Sequence, residues 1–339
     1  MEKNKWLFPG VDIEERSLEF LTKQCEYVAC NFTDLMNKFL SQFEEYCLKI
    51  SQQQEAGIKA PLAYINFSVL GTNILAKRHQ IRMDAYDKNW YADKTDCIGE
   101  YDVPEFFTHL EEYSNTLEKA GKSLFGHGKF KDVQDAVFDE SKKYLQFVAE
   151  FLRIALRKAS TNDWYQKVQR EALFTIFVGE YQGSVDIIYK EDFTDKDAKI
   201  VKQYLESKEL PTYYYEINEN LNLSQGDYQD IHFHFSSFSG SDFSDSNLKN
   251  ATLLFCNFSH TVLANTNMES TQIFDTDFRG AFLENVSFKG AHLKHLSFAD
   301  ARLINVDFEG VLLAEDLDFS DAQMIKVVLP LNLSSSNTL

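Results

Sequence analysis

The residues of this sequence that could bind a phosphate group lie at 121–123, which read Gly-Lys-Ser. A phosphate-binding loop needs another glycine five residues before the first of these, and the loop follows a strand. Thr116 stands at that earlier position, and the residues before it predict a helix. We therefore predict no nucleotide site here.

Histidines and carboxylates are the other candidates for chemistry. His292 and His295 lack an acidic or cysteine partner at ligand spacing, so we interpret them as surface residues. Adjacent acids such as Glu315 and Asp316 do not face one site as an acid and base pair. The patterns of nucleophile elbows and dinucleotide sites are absent. We predict no catalytic residue, no metal site and no cofactor; an enzyme site in the N-terminal two thirds is the alternative.

Residues 84–91 combine acids with the aromatic residues Tyr86, Trp90 and Tyr91. Such a segment can bind a ligand, or its rings can anchor a hairpin by packing their apolar bodies against it. We interpret the segment as an anchor, with a ligand site as the alternative.

Composition narrows the choice of partners. The 339 residues include 34 Lys and Arg against 52 Asp and Glu, which gives a formal net charge of −18. Nucleic acids and anionic membranes attract positive charge, so direct binding to either is disfavoured. Five cysteines in no CxxC pair indicate reduced thiols, and the sequence has neither a signal layout nor an apolar run of about 18 residues. We predict an acidic, cytoplasmic protein of bacterial type.

The N-terminal two thirds predict an α+β domain that is rich in long helices. Asp12 and Glu15 indicate a helix start, and apolar spacings of three and four from Leu18 to Phe43 predict one helix of about 35 to 40 residues. Pro104 opens a second helix, and residues 133–156 predict a third. Residues 62–70 with 79–87, and 173–181 with 184–189, alternate like paired strands.

The last third of the chain has a period of five. A large apolar residue stands at every fifth position from Phe233 to Leu313, and a small or aliphatic residue precedes most of them by two positions. One inserted residue then shifts the register to Phe319, Met324 and Leu329. Neither the helical period of 3.6 nor the strand period of two produces this pattern.

The pattern resembles the motif of the pentapeptide-repeat family, which is a small residue, Asp or Asn, Leu or Phe, and two variable positions. The resemblance implies a right-handed quadrilateral β-helix in which four repeats form one coil and the central side chains point inward. Residues 20 apart then stack, and 22 central positions give about 5.5 coils. The predicted core ladder consists of Phe238, Phe258, Phe278, Phe298 and Phe319.

These patterns divide the chain into four segments. We predict an α+β helical domain at 1–206, a linker at 207–220, the solenoid at 221–329 and a C-terminal tail at 330–339. Solenoid ends need caps. The preceding residues are expected to cover the first end, and an apolar tail is expected to close the second end or dimerise; it contains Val327, Val328, Leu329, Leu331 and Leu333.

Large apolar residues also occupy outward positions of the repeat. Contiguous exposed apolar area usually indicates an interface, so we predict an interaction surface there. The N-terminal domain, a second copy of the chain or a separate protein could cover it. One side carries Phe235, Leu254, Phe255 and Phe274, and the opposite side carries Val262, Phe282 and Ile304.

The leading functional hypothesis is a non-catalytic interaction or scaffold protein whose solenoid is a rigid binding wall for a protein partner or a homodimer. The family resemblance implies an alternative, because members include acidic rods that imitate duplex DNA, bind DNA gyrase or topoisomerase IV, and give inhibitor resistance or self-immunity. Residues 231–329 hold 13 acidic and 6 basic residues. Duplex DNA carries one charge per about 1.7 Å, so the imitation would be partial.

Overall fold

The computed structural model describes residues 12–122, 129–181 and 185–330. Its chain divides into two compact units, Met1–Phe193 and Thr194–Leu339. This boundary precedes the predicted one at 206, because a helix after Phe193 packs with the solenoid. The predicted turn at 182–183, Ser123, Leu331 and Leu333 lie outside the described residues.

The first unit begins with two helices where one was predicted. α1 spans Ile13–Cys30 and α2 spans Phe32–Glu55. Asp12 caps α1 as expected, since its carboxylate accepts hydrogen bonds from the backbone N–H groups of Glu14 and Glu15, both at 3.1 Å. Asn31, with φ −107° and ψ 14°, interrupts the helical path. Asparagine competes with helical hydrogen bonding, and the apolar spacing alone gave no sign of this break.

A five-stranded sheet forms the centre of the first unit. Its strands are β1 (Leu62–Val69), β2 (Gln80–Tyr86), β3 (Ile98–Asp102), β4 (Arg170–Glu180) and β5 (Val185–Asp192), in the order β3-β2-β1-β4-β5. β1 pairs with β2 and β4 pairs with β5, as predicted; both pairs are antiparallel, whereas β1 and β4 are parallel. The edge strand β3 was not predicted.

Further helices fill the connections of this sheet: α3 (Gly71–Leu75), α4 (Thr108–Lys122), α5 (Lys129–Ala159) and α6 (Asp163–Gln166), with 3-10 turns at Trp90–Ala92 and Pro104–Phe106. The core joins helices to the sheet through aromatic rings. Phe39 of α2 lies 6.4 Å from Phe67 of β1 and 6.2 Å from Phe151 of α5, between ring centroids. The prediction of an α+β domain with long helices is therefore confirmed.

The second unit is a β-solenoid built from short strands that recur every 20 residues. Leu253 pairs in parallel with Phe233 and with Ile273, and Ile273 pairs with Leu293. One side of the solenoid is a six-stranded sheet, so the solenoid has six coils there. Its strands are β6 (Tyr213–Tyr214), β7 (His232–His234), β8 (Thr252–Leu254), β10 (Gln272–Phe274), β12 (His292–Ser297) and β14 (Leu313–Asp318).

The opposite side is a four-stranded sheet of β9 (Val262–Ala264), β11 (Phe282–Glu284), β13 (Arg302–Ile304) and β15 (Gln323–Ile325). The two remaining sides are joined by isolated parallel bridges, such as Asn257 with Asp277 and Asn247 with Asn267. Four five-residue sides therefore close each coil, which is the quadrilateral repeat predicted from the sequence.

Inside the solenoid, phenylalanine rings stack from coil to coil. Successive centroids of the predicted ladder lie 5.2, 5.5, 5.1 and 5.3 Å apart. The first four rings are fully buried, and the last is partly buried. The members are Phe238, Phe258, Phe278, Phe298 and Phe319.

The register of the last coil differs from the prediction. Leu293 pairs with Ala314, so Ala314 and not Leu313 takes the inward position. The extra residue is therefore accommodated before Ala314, where Leu312 is 71% exposed. Ala314 is buried, and Leu313 is half-buried.

The first coil is covered by helix α7, Ala198–Ser207. Leu205 is fully buried in the solenoid core, and Val201 and Tyr204 pack against it. The Lys202 ammonium donates hydrogen bonds to backbone oxygens of the open coil, at 2.7 Å to Ser224 and 3.1 Å to the next residue. Unpaired backbone groups at a solenoid end need such partners, so α7 is the N-terminal cap. Tyr213 and Tyr214, in the segment predicted as a linker, already form the first strand.

Candidate functional site

Five outward-facing residues on the six-stranded side lie in two adjacent columns. Together we name them the aromatic strip: Tyr215, Phe235, Leu254, Phe255 and Phe274. The ring of Phe235 stacks on Tyr215 at 5.5 Å and 15°, and on Phe255 at 5.1 Å and 5°. Leu254 and Phe274 are paired neighbours in the adjacent column. Near-parallel rings at the coil repeat make a continuous aromatic column on the outside of the solenoid.

The backbone at this column is unfavourable for aromatic residues. Tyr215, Phe235 and Phe255 have φ of 56°, 54° and 54°, in the left-handed region. Bulky residues rarely adopt this region, and holding one there costs on the order of 1 to 3 kcal/mol. The same position in other repeats holds residues that tolerate it, such as Asn265 and Asn285. The three rings are therefore not explained by local backbone preference.

The strip is only partly accessible. Phe235 is 9% exposed, and Leu254, Phe255 and Phe274 are half-buried. Phe235 is stacked between Tyr215 and Phe255, which accounts for its low exposure.

In the coils that follow the strip, charged residues occupy the same two columns. The imidazole of His295 lies between two carboxylates, with Nδ1 3.2 Å from Asp275 and Nε2 3.1 Å from Asp316. His295 is exposed, as interpreted from the sequence, but it has two acidic partners one coil away on either side, which local sequence spacing did not reveal. The ammonium of Lys294 is 2.9 Å from Glu315, whose hydrogen bond raises the pKa of Lys294.

The predicted residues on the opposite side form two separate pairs. Val262 pairs with Phe282, and the guanidinium of Arg302 lies 5.6 Å above the Phe282 ring. Ile304 pairs with Ile325, which is 51% exposed. The seven predicted surface residues are thus divided between two sides of the solenoid.

Sequence reasoning missed the start of the strip and the charged residues above it. Tyr214 and Tyr215 were assigned to a linker, although the signal was present. Counting back 20 residues from Phe235 reaches Tyr215, and counting forward reaches Phe255, Asp275 and His295.

Several solenoid acids are neutralised by a base on their own surface. The guanidinium of Arg279 donates to both oxygens of Asp277, at 3.0 and 2.9 Å from Nε, and this contact raises the pKa of Arg279. Lys249 lies 3.4 Å from Glu269. These pairs interrupt the negative surface that a DNA-like rod would need.

Among the described residues of the first unit, His79 has an acidic partner. The Nε2 atom of His79 is 2.7 Å from Glu111, and its Nδ1 atom is buried with no hydrogen-bond partner among the described residues. The described residues hold no group of three or more His, Cys, Asp or Glu side chains that could bind a metal. Absence of a catalytic residue stays a prediction. Within the described ranges, no helix has the length and apolar character needed to cross a membrane.

Comparison with known proteins bears on the second unit. The family model described as Pentapeptide repeats (8 copies) matches residues 220–253, 229–265, 241–280 and 272–310. The C-terminal region is therefore a pentapeptide-repeat solenoid, as the motif predicted. No family match covers the N-terminal part. No curated protein matches the chain.

Similar solved structures are also pentapeptide-repeat proteins. One is from the Arabidopsis thaliana thylakoid lumen (16% identity, 28% of this chain, 71% of that chain, TM-score 0.24). A trypsin-treated variant of QnrB1, a plasmid-mediated fluoroquinolone resistance protein, has 17% identity, 34% and 67% coverage and a TM-score of 0.25. A protein from the cyanobacterium Cyanothece 51142 has 18% identity, 39% and 99% coverage and a TM-score of 0.20. At these scores the neighbours carry no functional argument.

Proposed function

We propose that the protein is a non-catalytic interaction protein that uses its solenoid as a rigid binding wall. The observation that carries this proposal is the aromatic strip, in which Phe235 and Phe255 stack at 5.1 Å despite a left-handed backbone. The strand ladder holds the rings in place, so binding would lose little side-chain entropy. Aromatic residues are enriched among the residues that dominate binding energy at interfaces. The partner is a protein with an apolar patch, or a second copy of the chain.

The test replaces strip residues without disturbing the backbone. Phe255→Asn introduces the residue type found at the equivalent position 265, and Phe274→Ser removes the neighbouring ring. We expect both variants to lose the bound partner or the dimer, measured by co-purification and by mass in solution. Gln272→Ala is the matched control, since Gln272 is exposed on the same side outside the strip.

Two outcomes would contradict the proposal. Unchanged partners, unchanged mass and unchanged unfolding in both variants would mean that the strip binds nothing. New protease sensitivity near residue 193, with no partner lost, would mean that the strip serves the first unit of its own chain.

A DNA-mimicking protein that binds gyrase or topoisomerase and gives inhibitor resistance or self-immunity is the second candidate. The net charge of −18 is compatible with it. The ion pairs of Asp277 and Glu269 count against it, because they interrupt the acidic surface. A gyrase supercoiling assay with and without a poison tests it, and no effect at micromolar protein would exclude it. An enzyme site in the first unit is the third candidate, and the contact between His79 and Glu111 is the place to test it.

A further inference from the structure

A cavity of about 250 Å³ lies in the first unit beside β2. Its wall includes the rings of Tyr86, Tyr91 and Tyr181. The same wall carries the carboxyl groups of Asp84, Asp93 and Asp96, and one base, Arg82. Aromatic faces combined with carboxylates are the surroundings that proteins use to bind organic cations.

One wall of this cavity is held in place by a buried lysine. The side chain of Lys59 has no exposed surface, and its ammonium donates to Ala85 O at 2.8 Å, Thr95 O at 2.6 Å and Asp93 Oδ2 at 2.5 Å. An ammonium has three donors, so all are used. The segment that carries Tyr91 and Asp96 is therefore fixed before any ligand arrives.

The aromatic segment 84–91 serves two purposes. Trp90 anchors it, since its ring centroid lies 4.1 Å from Tyr64 and 5.3 Å from Phe177. Tyr86 and Tyr91 instead line the cavity, with ring centroids 5.3 Å apart at 67°. Both tyrosine rings also contact Trp90, with centroids 5.9 and 5.3 Å away, so they belong to the anchor as well as to the cavity wall.

The cavity already holds one guanidinium group, that of Arg82. Its Nε and a terminal nitrogen each lie 2.8 Å from an oxygen of Asp84, and its central carbon lies 5.6 Å above the Tyr181 ring. A carboxylate and a tyrosine face therefore contact one guanidinium group at this cavity.

The cavity wall carries a further carboxylate, Asp96, together with the rings of Tyr86 and Tyr91. Asp96 is exposed, and no hydrogen bond or ion pair joins it to another described residue. Asp93 already binds Lys59, which leaves Asp96 as the carboxylate available to a ligand. One strand away, Asn66 pairs with Asp84, and its buried Oδ1 has no hydrogen-bond partner among the described residues.

We propose that the cavity binds a guanidinium group, with Asp96 as its charge partner and the Tyr86 and Tyr91 rings as its contact faces. The group is an arginine side chain of a peptide or a free alkylguanidinium. The overall charge of −18 favours the approach of such a cation. This site is independent of the aromatic strip on the solenoid.

Titration calorimetry on the full chain tests the site with three probes: capped Gly-Gly-Arg-Gly-Gly, the same peptide with norleucine in place of arginine, and n-butylguanidinium. We expect the arginine peptide to bind and the norleucine peptide not to bind. Asp96→Asn and Tyr91→Ala should each weaken binding about fivefold, the usual effect of one partly exposed ion pair or cation–π contact. Glu26→Gln, an exposed acid on α1, is the matched control and should change nothing.

Binding of n-butylguanidinium as tightly as the peptide would identify a small molecule as the source of the group. Weaker binding of n-butylguanidinium would identify a peptide. Equal binding of the norleucine and arginine peptides, or unchanged affinity in Asp96→Asn, would overturn the proposal. Asp96→Asn preserves the shape of an exposed side chain, so it decides the matter even if Tyr91→Ala fails to fold.

Discussion

Leu293 pairs with Ala314 across the last two coils, although Leu313 is the residue that fits the spacing of five. The leucine that continues the apolar pattern is half-buried, and the alanine beside it is buried. A strand can accommodate one extra residue by a local bulge, which changes the side that each following residue faces. After this extra residue the following side chains are again in the inward register, and the ring of Phe319 stacks on Phe298 at 5.3 Å.

This register predicts unequal effects of two leucine truncations. Leu293→Ala removes a fully buried side chain and should lower the free energy of unfolding by about 2 to 5 kcal/mol. Leu313→Ala removes a half-buried one and should cost less than about 1.5 kcal/mol. Urea unfolding midpoints of the two variants measure the difference. Equal losses would indicate that the side chain of Leu313 faces the solenoid interior.

A second prediction concerns Gly280, which has φ +65° and lies against the ring of His260. A Cβ atom at this position would stand 2.4 Å from His260 Nδ1. Gly280→Ala should therefore be more destabilising than Gly290→Ala, where φ is +74° and the nearest atom, Ser270 Oγ, would be at 3.2 Å. We expect Gly280→Ala to cost about 1 to 3 kcal/mol.

The double variant His260→Ala with Gly280→Ala separates the two causes in thermal unfolding. Loss of the ring should recover the part of the destabilisation that comes from the contact, and leave the part that comes from the left-handed backbone. No recovery would assign the whole effect to the backbone.

A third prediction concerns the α7 cap. Lys202→Met removes the hydrogen bonds to Ser224 O and Gln225 O and leaves these acceptors without that donor. We expect a loss of about 1 to 3 kcal/mol and faster hydrogen exchange in the first coil. Lys199→Met, an exposed position on the same helix, is the control and should leave exchange unchanged. Identical exchange in both variants would mean that the lysine does not support the coil.

The inward residues from Phe233 to Phe308 were predicted correctly because a period of five determines them directly, whereas the same count failed at Leu313. Phe238 and Phe258 needed no knowledge of distant residues. The helix break at Asn31 was missed because apolar spacing continues across it. A cover for the first coil was expected from the preceding residues, but α7 was assigned to the first domain, because helix-to-coil contacts leave no periodic signal. The cavity at Asp96 was missed because its lining residues come from separate parts of the sequence, namely strand β2, the loop after it and Tyr181.

A fourth prediction concerns acid stability. Burial alone would raise the pKa of Asp93, but hydrogen bonds from Lys59 and Thr95 outweigh burial and lower the pKa to about 2. A carboxyl group with a lowered pKa in the folded state stabilises that state above its ordinary pKa of about 4. This stabilisation is lost as the pH falls through about 2.

The difference in unfolding free energy between the wild type and Asp93→Asn should therefore shrink as the pH falls from about 4 to about 2. Asp96→Asn, which removes a neighbouring exposed carboxylate, is the control variant. A constant difference for Asp93→Asn would mean that its carboxylate is not held by Lys59.

The α7 cap comes before the coils that it covers, and this order has a consequence for synthesis. During translation the helix and the first strand leave the ribosome ahead of every later repeat. The backbone groups at the edge of the last folded coil can then pair with the next 20 residues, which complete one further coil. We expect the solenoid to assemble in one direction, layer upon layer, at the pace at which the chain is made.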